Sequence, residues 1–256
     1  MSSLSEITEQ LLRCARIEQG MHVLDIGCGS GELTRAIADL VGLSGNVVGL
    51  DGSAVALSAA EAATDTTKYT NIVYVHCDLQ SLPHQLGVFD VVVGRRVLMY
   101  VAKPEGVIAA LISKLKPGGR IALQEHDTTM TPGRTGCWPI HDQVHAWLWD
   151  SVSREGANPR FGFSLAPMLA DAGADVQAVW AQAIFSGYET GVHHSLHDLT
   201  KMMLPRLLAT GVATEVEVDL PTLEARLAAE RKANKSTYVT DMAVCVVAQR
   251  TELGGA

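Results

Sequence analysis

The sequence predicts an α/β fold, a mostly parallel sheet with helices on both faces, and three observations carry that expectation. His22-Val23-Leu24-Asp25-Ile26 is an apolar strand that runs through Gly27-Cys28-Gly29-Ser30-Gly31 into a helix, the opening of a βαβ unit. Strand and helix patterns then alternate along the first half of the chain. Finally, Val88-Phe89-Asp90-Val91-Val92-Val93 is nearly all apolar, as a central parallel strand buried on both faces must be.

Taken in order, residues 4–17 read as an amphipathic helix with Leu4, Ile7, Leu11, Leu12 and Ala15 on one side. After the first strand, Leu33, Ala36, Ile37, Leu40 and Val41 share one helical face, and Gly42 is a natural stop. Asn46 to Asp51 is a second strand ending on an acid, followed at Gly52-Ser53 by an Ala-rich helix to about Thr66. Asn71 to Val75 is a third strand, and the Val88–Val93 strand runs into Gly94-Arg95-Arg96. Pro104 opens the next helix through Val107, Ile108, Leu111, Ile112 and Leu115; Lys116-Pro117-Gly118-Gly119 then turns into a fifth strand ending at Gln124-Glu125-His126-Asp127. Beyond it the spacing predicts a loop over 128–136, helices over 140–154 and 164–172, and a sixth strand over 174–186. Helices over 192–210, interrupted or bent at Pro205, and over 222–234 precede a seventh strand at 237–249.

Bulk properties narrow the function classes. A length of 256 residues with 47% apolar content supports a substantial core in one domain, 1–256. The net charge of −8, with no run of Lys and Arg, argues against nucleic acid. Glu6, Glu9, Arg13 and Arg16 make the first residues unlike a signal peptide, and no apolar run reaches about 18 residues, so no membrane span is expected. Five scattered cysteines without a C-x-x-C pair suit a reduced, cytoplasmic setting.

Glycine spacing selects the ligand. Strand, glycine turn and helix N-terminus let a ligand approach backbone N–H groups closely. A dinucleotide fingerprint is G-x-G-x-x-G, whereas here Gly27, Gly29 and Gly31 alternate and Glu32 occupies the third dinucleotide position, where it would repel a pyrophosphate. With Asp25 ahead of it, the stretch resembles the D-x-G-x-G-x-G motif of class I S-adenosylmethionine-dependent methyltransferases. The combination of F-D-V-V-V, a helix and L-K-P-G-G-R-I extends the resemblance over roughly residues 20–125. It is similar to the broad group containing quinone-biosynthesis and secondary-metabolite enzymes.

The resemblance implies a Rossmann-like, seven-stranded, mostly parallel sheet whose last strand is antiparallel. Helical insertions at about 128–158 and 187–235 would form a lid over a substrate pocket. It implies S-adenosyl-L-methionine as donor and S-adenosyl-L-homocysteine as product. Asp25, Gly27, Cys28 and Gly29 would meet the donor, Gly94 and Arg95 would approach its methionine part, and Asp78 and Leu79 its adenine. Asp51, beside Gly52, lies at the interval from Gly27 at which a βαβ unit places a carboxylate on a ribose.

Methyl transfer from a sulfonium is an in-line displacement, so positioning dominates and a base is needed only when the acceptor must lose a proton. His126, after strand five, is the expected base; Asp127, Tyr100, Arg95, Arg96, His141, His145, His193 and His194 are further candidates. His141 and His145 share a helix face and His197 lies further along, but no H-E-x-x-H pattern or third ligand is evident, so no metal is expected. Trp138, Trp147 and Trp149 suit an aromatic acceptor or fill a local core, and the Arg95–Arg96 pair suits a substrate carboxylate. The expected activity is methylation of an O, N or C nucleophile of a small organic molecule, by a monomer or a homodimer. The rivals are an NAD-dependent oxidoreductase and a protein that keeps the donor pocket without methylating.

Overall fold

The structure, a computed structural model, describes residues 5–186 and 195–251. His193 and His194 lie outside them. The chain divides into two compact units.

The first unit comprises residues up to 125, 162–180 and from 244 onward. It opens with α1 (Glu6–Ala15), whose Ile7, Leu11, Leu12 and Ala15 are buried as the spacing predicts. Then β1 (His22–Ile26), α2 (Glu32–Val41), β2 (Asn46–Asp51), α3 (Ala54–Ala63), β3 (Ile72–His76), β4 (Phe89–Arg95) and α4 (Pro104–Ser113) follow, strand and helix alternating except between β3 and β4, which are joined through two short 3-10 turns. Next come β5 (Leu115–Asp127), β6 (Gly133–Arg134), α5 (Pro139–Arg154), α6 (Leu165–Asp171), β7 (Ala174–Ser186), α7 (Leu196–Ala209), α8 (Glu215–Val218), α9 (Leu220–Asn234) and β8 (Tyr238–Arg250).

Within the first unit the strand order is β3-β2-β1-β4-β5-β8, with β7 also beside β8. The pairs from β3 to β5 are parallel. Gln249 donates to the Gly118 carbonyl at 2.8 Å and Thr251 to that of Gly173 at 3.1 Å, so the end of β8 lies at the start of both β5 and β7. The last strand is therefore antiparallel to both, as the resemblance implies. Val23, Leu24, Ile26, Val47, Leu50, Val92, Val93 and Ile121 to Leu123 are essentially inaccessible. Each such Val, Leu or Ile side chain contributes roughly 1.5–3 kcal/mol of burial. Ile26 pairs with Leu50 on one side and Gly94 on the other, and Asp51 pairs with His76. The carboxyl ends of β1, β2, β3 and β4 thus come level at the point where strand order reverses, the place where open α/β sheets bind ligands.

The second unit, residues 126–161 and 181–243, contains both expected insertions. Its helices α5, α7 and α9 bury Trp138, Val144, Leu148, Leu207, Leu223 and Leu227. Pro205 sits inside α7 without ending it, so of the interruption or bend expected there the interruption is absent: proline removes one N–H, and the rest of the helix is held by its other bonds. The eighth strand is the two-residue β6, inside the stretch read as a loop, which pairs antiparallel with β8 through Gly133 and Val239. Among the described residues no helix is long and apolar enough to cross a membrane.

Candidate functional site

At the end of β1 the chain turns through Gly27, Gly29 and Gly31 at φ of 61°, 54° and 77°. A Cβ on Gly27 would stand 2.2 Å from Val97 Cγ2, whereas one on Gly29 would meet nothing within 4 Å. Gly27 is therefore demanded by packing as well as by φ, and Gly29 by φ, with open space before it. That space is a cleft of about 200 Å³ lined by Asp25, Gly27, Cys28, Gly29, Ser30, Glu32, Leu33, Arg95 and Arg96.

Its charges are held at both ends. Asp25 is buried and accepts from Thr34 Oγ1 at 2.6 Å. Burial pushes its carboxyl up to about 7, against the opposing pull of Thr34 and Arg95. Asp51 Oδ2 accepts from the Gly29 N–H and Oδ1 from that of Ser53, both at 2.8 Å, so this carboxylate ties the glycine turn to the start of α3. Burial, and then the charges of Asp25 and Asp51, push the Cys28 thiol up to about 12, which makes it a poor nucleophile. Arg95 pairs with Glu32 at 3.3 Å and reaches Thr8 Oγ1 of α1 at 3.5 Å. Arg96, at φ 57°, donates its N–H to the Gln124 carbonyl at 2.8 Å. Behind them Glu125 Oε1 accepts from the N–H groups of Val97 at 3.0 Å and Leu98 at 2.7 Å, while Oε2 is buried without a hydrogen-bond partner among the described residues. Burial pushes its carboxyl up to about 7.

Of the residues expected to meet a donor, Asp25, Gly27, Cys28, Gly29 and Arg95 line the cleft, and Asp51 joins them through Gly29. Gly52, Asp78, Leu79 and Gly94 do not line it. Gly94 has a packing reason to be glycine, since a Cβ there would stand 2.6 Å from Ile26 Cγ1. The Cys77 N–H donates to the Asp51 carbonyl at 3.0 Å, which puts Asp78 at the next strand end beyond Asp51. Asp78 is exposed and accepts from Gln80 N–H at 2.9 Å, while Leu79 borders a separate cavity of about 340 Å³ against α4.

The second unit holds the remaining candidates. His126 and Asp241 are both buried and face one another through Nδ1 and Oδ2. His126 lies against Trp149 with ring centroids 5.7 Å apart, and His145 lies 6.4 Å from the same indole. His141 and His145 share one face of α5, as their spacing predicts, but both are buried. The His141 Nδ1 is 2.6 Å from Glu230 Oε2, and Glu230 also accepts from the N–H groups of Ile140 and His141 at 2.9 Å. Burial holds both imidazoles below the usual histidine range, against Glu230 for His141 and a hydrogen bond to the Thr240 backbone for His145. Among the described residues no group of three ligating side chains gathers. Trp138 is wholly buried against His141 and Tyr238, hence core, while Trp147 and Trp149 are half-buried. His197 is engaged by its neighbour Asp198 at 3.1 Å.

Sequence reasoning passed over Glu125, Asp241 and Glu230. An acid ending β5 was a usable signal for Glu125; nothing in the local pattern marks the other two.

The sequence profile of a family described as "Methyltransferase domain" matches residues 17–175. A ubiquinone/menaquinone biosynthesis C-methyltransferase of Ectopseudomonas mendocina is 33% identical over 181 residues, 70% of each chain. The chain spans between 42% and 73% of the length of the curated relatives compared, all of which carry that same name. In fold it resembles a solved Bacillus halodurans protein, 15% identical with TM-score 0.66, over 97% of this chain and 100% of that one. It also resembles the [4+2]-cyclase SpnF, 20% identical with TM-score 0.57, over 97% of this chain and 81% of that one. At these identities the likeness is one of fold alone.

Proposed function

This chain belongs to the methyltransferase-domain family, and from that premise we propose that it transfers the methyl group of S-adenosylmethionine to a small organic acceptor. The observation that carries the reading is the two-signed cleft before Gly29, with Asp25 and Glu32 beside Arg95 and Arg96. Such a wall suits a ligand bearing both an ammonium and a carboxylate, as the amino-acid end of that donor does, and the open space before Gly29 admits it closely. When bound, the donor supplies an electrophilic methyl on a sulfonium. Asp51 would hold the ribose hydroxyls beside Gly52, Asp78 and Leu79 the adenine, and the Gly94–Arg95 main chain the methionine part. His126 would take the acceptor's proton where the acceptor must lose one. The C-methyltransferase relatives support a small-molecule acceptor.

A nicotinamide-dependent reading is disfavoured because Glu32, at the first position of α2, lines the cleft that a pyrophosphate would need. The cyclase of like fold keeps in view a reading in which the donor pocket serves other chemistry. Calorimetric titration with S-adenosylhomocysteine and with NAD tests the proposal: the thioether is expected to bind and NAD not. NAD binding without the thioether would overturn it.

A further inference from the structure

The wall of the glycine-loop cleft includes a cation without a partner among the described residues, carried on a turn that a buried acid holds. We propose that Glu125 is the positioning residue of this cleft: by holding the Val97 and Leu98 N–H groups it presents Arg96 to the carboxylate of the donor. This inference rests on the methyltransferase reading above, which supplies the ligand.

The turn needs a holder. Beyond β4 the chain bends at Arg96, whose φ of 57° lies in the left-handed region that residues with a Cβ disfavour. Leu98 then opens a short 3-10 turn, Leu98–Tyr100, and Val97 precedes it as a cap residue whose side chain makes no capping bond to the free N–H groups. Strand β5 supplies what is missing. The Gln124 carbonyl accepts from the Arg96 N–H at 2.8 Å, and Glu125 Oε1 accepts from Val97 at 3.0 Å and from Leu98 at 2.7 Å. Glu125 is wholly buried, and its Oε2 has no hydrogen-bond partner among the described residues. Ile121, Ala122 and Leu123 before it are inaccessible and apolar, so an apolar side chain would suit the core better than a carboxyl with one oxygen unanswered. The two N–H groups of the turn are the reason for an acid there. With a proton on Oε2 or without one, Oε1 remains an acceptor.

That turn bears on the cleft in two ways. Val97 packs so closely on the glycine turn that a Cβ on Gly27 would stand 2.2 Å from Val97 Cγ2, so the two turns fit each other. Arg96 itself lines the cleft. The two arginines of the wall differ. Arg95 is engaged, with Glu32 at 3.3 Å and Thr8 at 3.5 Å. The Arg96 guanidinium lies within the fields of Arg95, Tyr100, Glu125 and Glu32, but it makes no hydrogen bond or ion pair among the described residues. It is therefore the cation of the wall with donors to give, and its planar fork matches a carboxylate through two parallel N–H···O bonds. The direction in which it leaves the wall is set by the φ of 57°, and the bonds from Gln124 and Glu125 keep that angle. Glu125 thus acts through the turn rather than by touching the ligand.

The test compares two thioethers by calorimetry: S-adenosylhomocysteine, and its decarboxylated form, which keeps the adenosine, the sulfur and the ammonium. The wild type is expected to prefer the first by about tenfold or more, as a charge-assisted hydrogen bond gives. Arg96→Gln should erase the preference by weakening S-adenosylhomocysteine alone, and Glu125→Leu should do the same although it leaves Arg96 in place. Glu125→Gln keeps an oxygen for Val97 and Leu98 and is expected to retain the preference. If Glu125→Leu does not fold, Glu125→Asp, one methylene short of the two N–H groups, carries the comparison. A folded Glu125→Leu or Glu125→Asp that keeps the full preference overturns the inference. So does an equal loss for both thioethers, which marks a merely structural role, and so does a Glu125→Gln that loses as much as Glu125→Leu. A wild type that binds both thioethers alike overturns it and leaves the methyltransferase reading standing; a wild type that binds neither fails that reading first, and this inference with it.

Discussion

The glycine-loop cleft and the histidine cluster are built by opposite means. In the cleft the glycine turn is held by short-range contacts, Thr34 reaching back 9 positions to Asp25 and Asp51 reaching back 22 to Gly29, while Arg95 meets Glu32 from 63 positions away. In the cluster Glu230 meets His141 across 89 positions and Tyr238 meets Asp142 across 96. The cleft is assembled by backbone conformation, the cluster by side chains that only a finished fold brings together. A change to the glycine turn should therefore act on ligand binding at once, and a change in the cluster on the stability of the second unit.

The largest effect should come from Gly27→Val. Its side chain would collide with Val97 at a backbone angle that β-branched residues avoid, so a loss of about 3–5 kcal/mol in urea unfolding is expected, with S-adenosylhomocysteine binding abolished. Three of the four tryptophans lie in the second unit, so fluorescence reports mainly on it. A fluorescence transition shifted as far as the global one would break the contrast, because the units would then unfold together.

Next in size, Glu230→Ala strips the acceptor from the His141 ring and from two N–H groups, one buried and one half-buried, and should cost about 3 kcal/mol while leaving thioether affinity within a few-fold of wild type. Calorimetry on the folded variant decides: a tenfold loss of affinity would mean that the cluster governs the cleft.

The pH dependence of stability carries a signature of the first unit. Asp25 and Glu125 are held at about 7, above their unfolded values of 3.8 and 4.5, so between those limits the folded state binds more protons than the unfolded one. Stability from these groups is therefore full below about pH 4 and falls as pH rises to about 7, by on the order of a few kcal/mol for each group. Asp25→Asn, which keeps an acceptor for Thr34, should flatten that slope; an unaltered slope in urea midpoints measured from pH 4 to 8 would contradict the assignment. The smallest expected effect is Asp51→Ala, a loss of about 1–3 kcal/mol in thioether binding read by the same calorimetry. Unchanged affinity in a folded variant would remove Asp51 from the site.

Local pattern sufficed for most of the first unit. The apolar Val88–Val93 run, Pro104 at a helix start and the Pro117-Gly118 turn each announce an element that is present, because each acts through its own backbone. It also led to Asp25, Gly27, Gly29 and Asp51. The signal weakened where a residue answers to something distant. Gly94 has a packing reason to be glycine, the Ile26 side chain against it, that the sequence does not announce, and Pro205 stands inside α7 without ending it. His141 and His145 share a helix face as read, but that Glu230 engages the first is not written in their spacing.

What the sequence determined by itself is the order of strands and helices from β1 to β5 and the turn that opens the cleft, since apolar period and glycine conformation are properties of neighbouring residues. What only the tertiary structure decided is which charges meet. Nothing in the local pattern of Glu230 marks it as buried, and the partner it finds in His141 is 89 positions away, brought to it by helices packed from far along the chain.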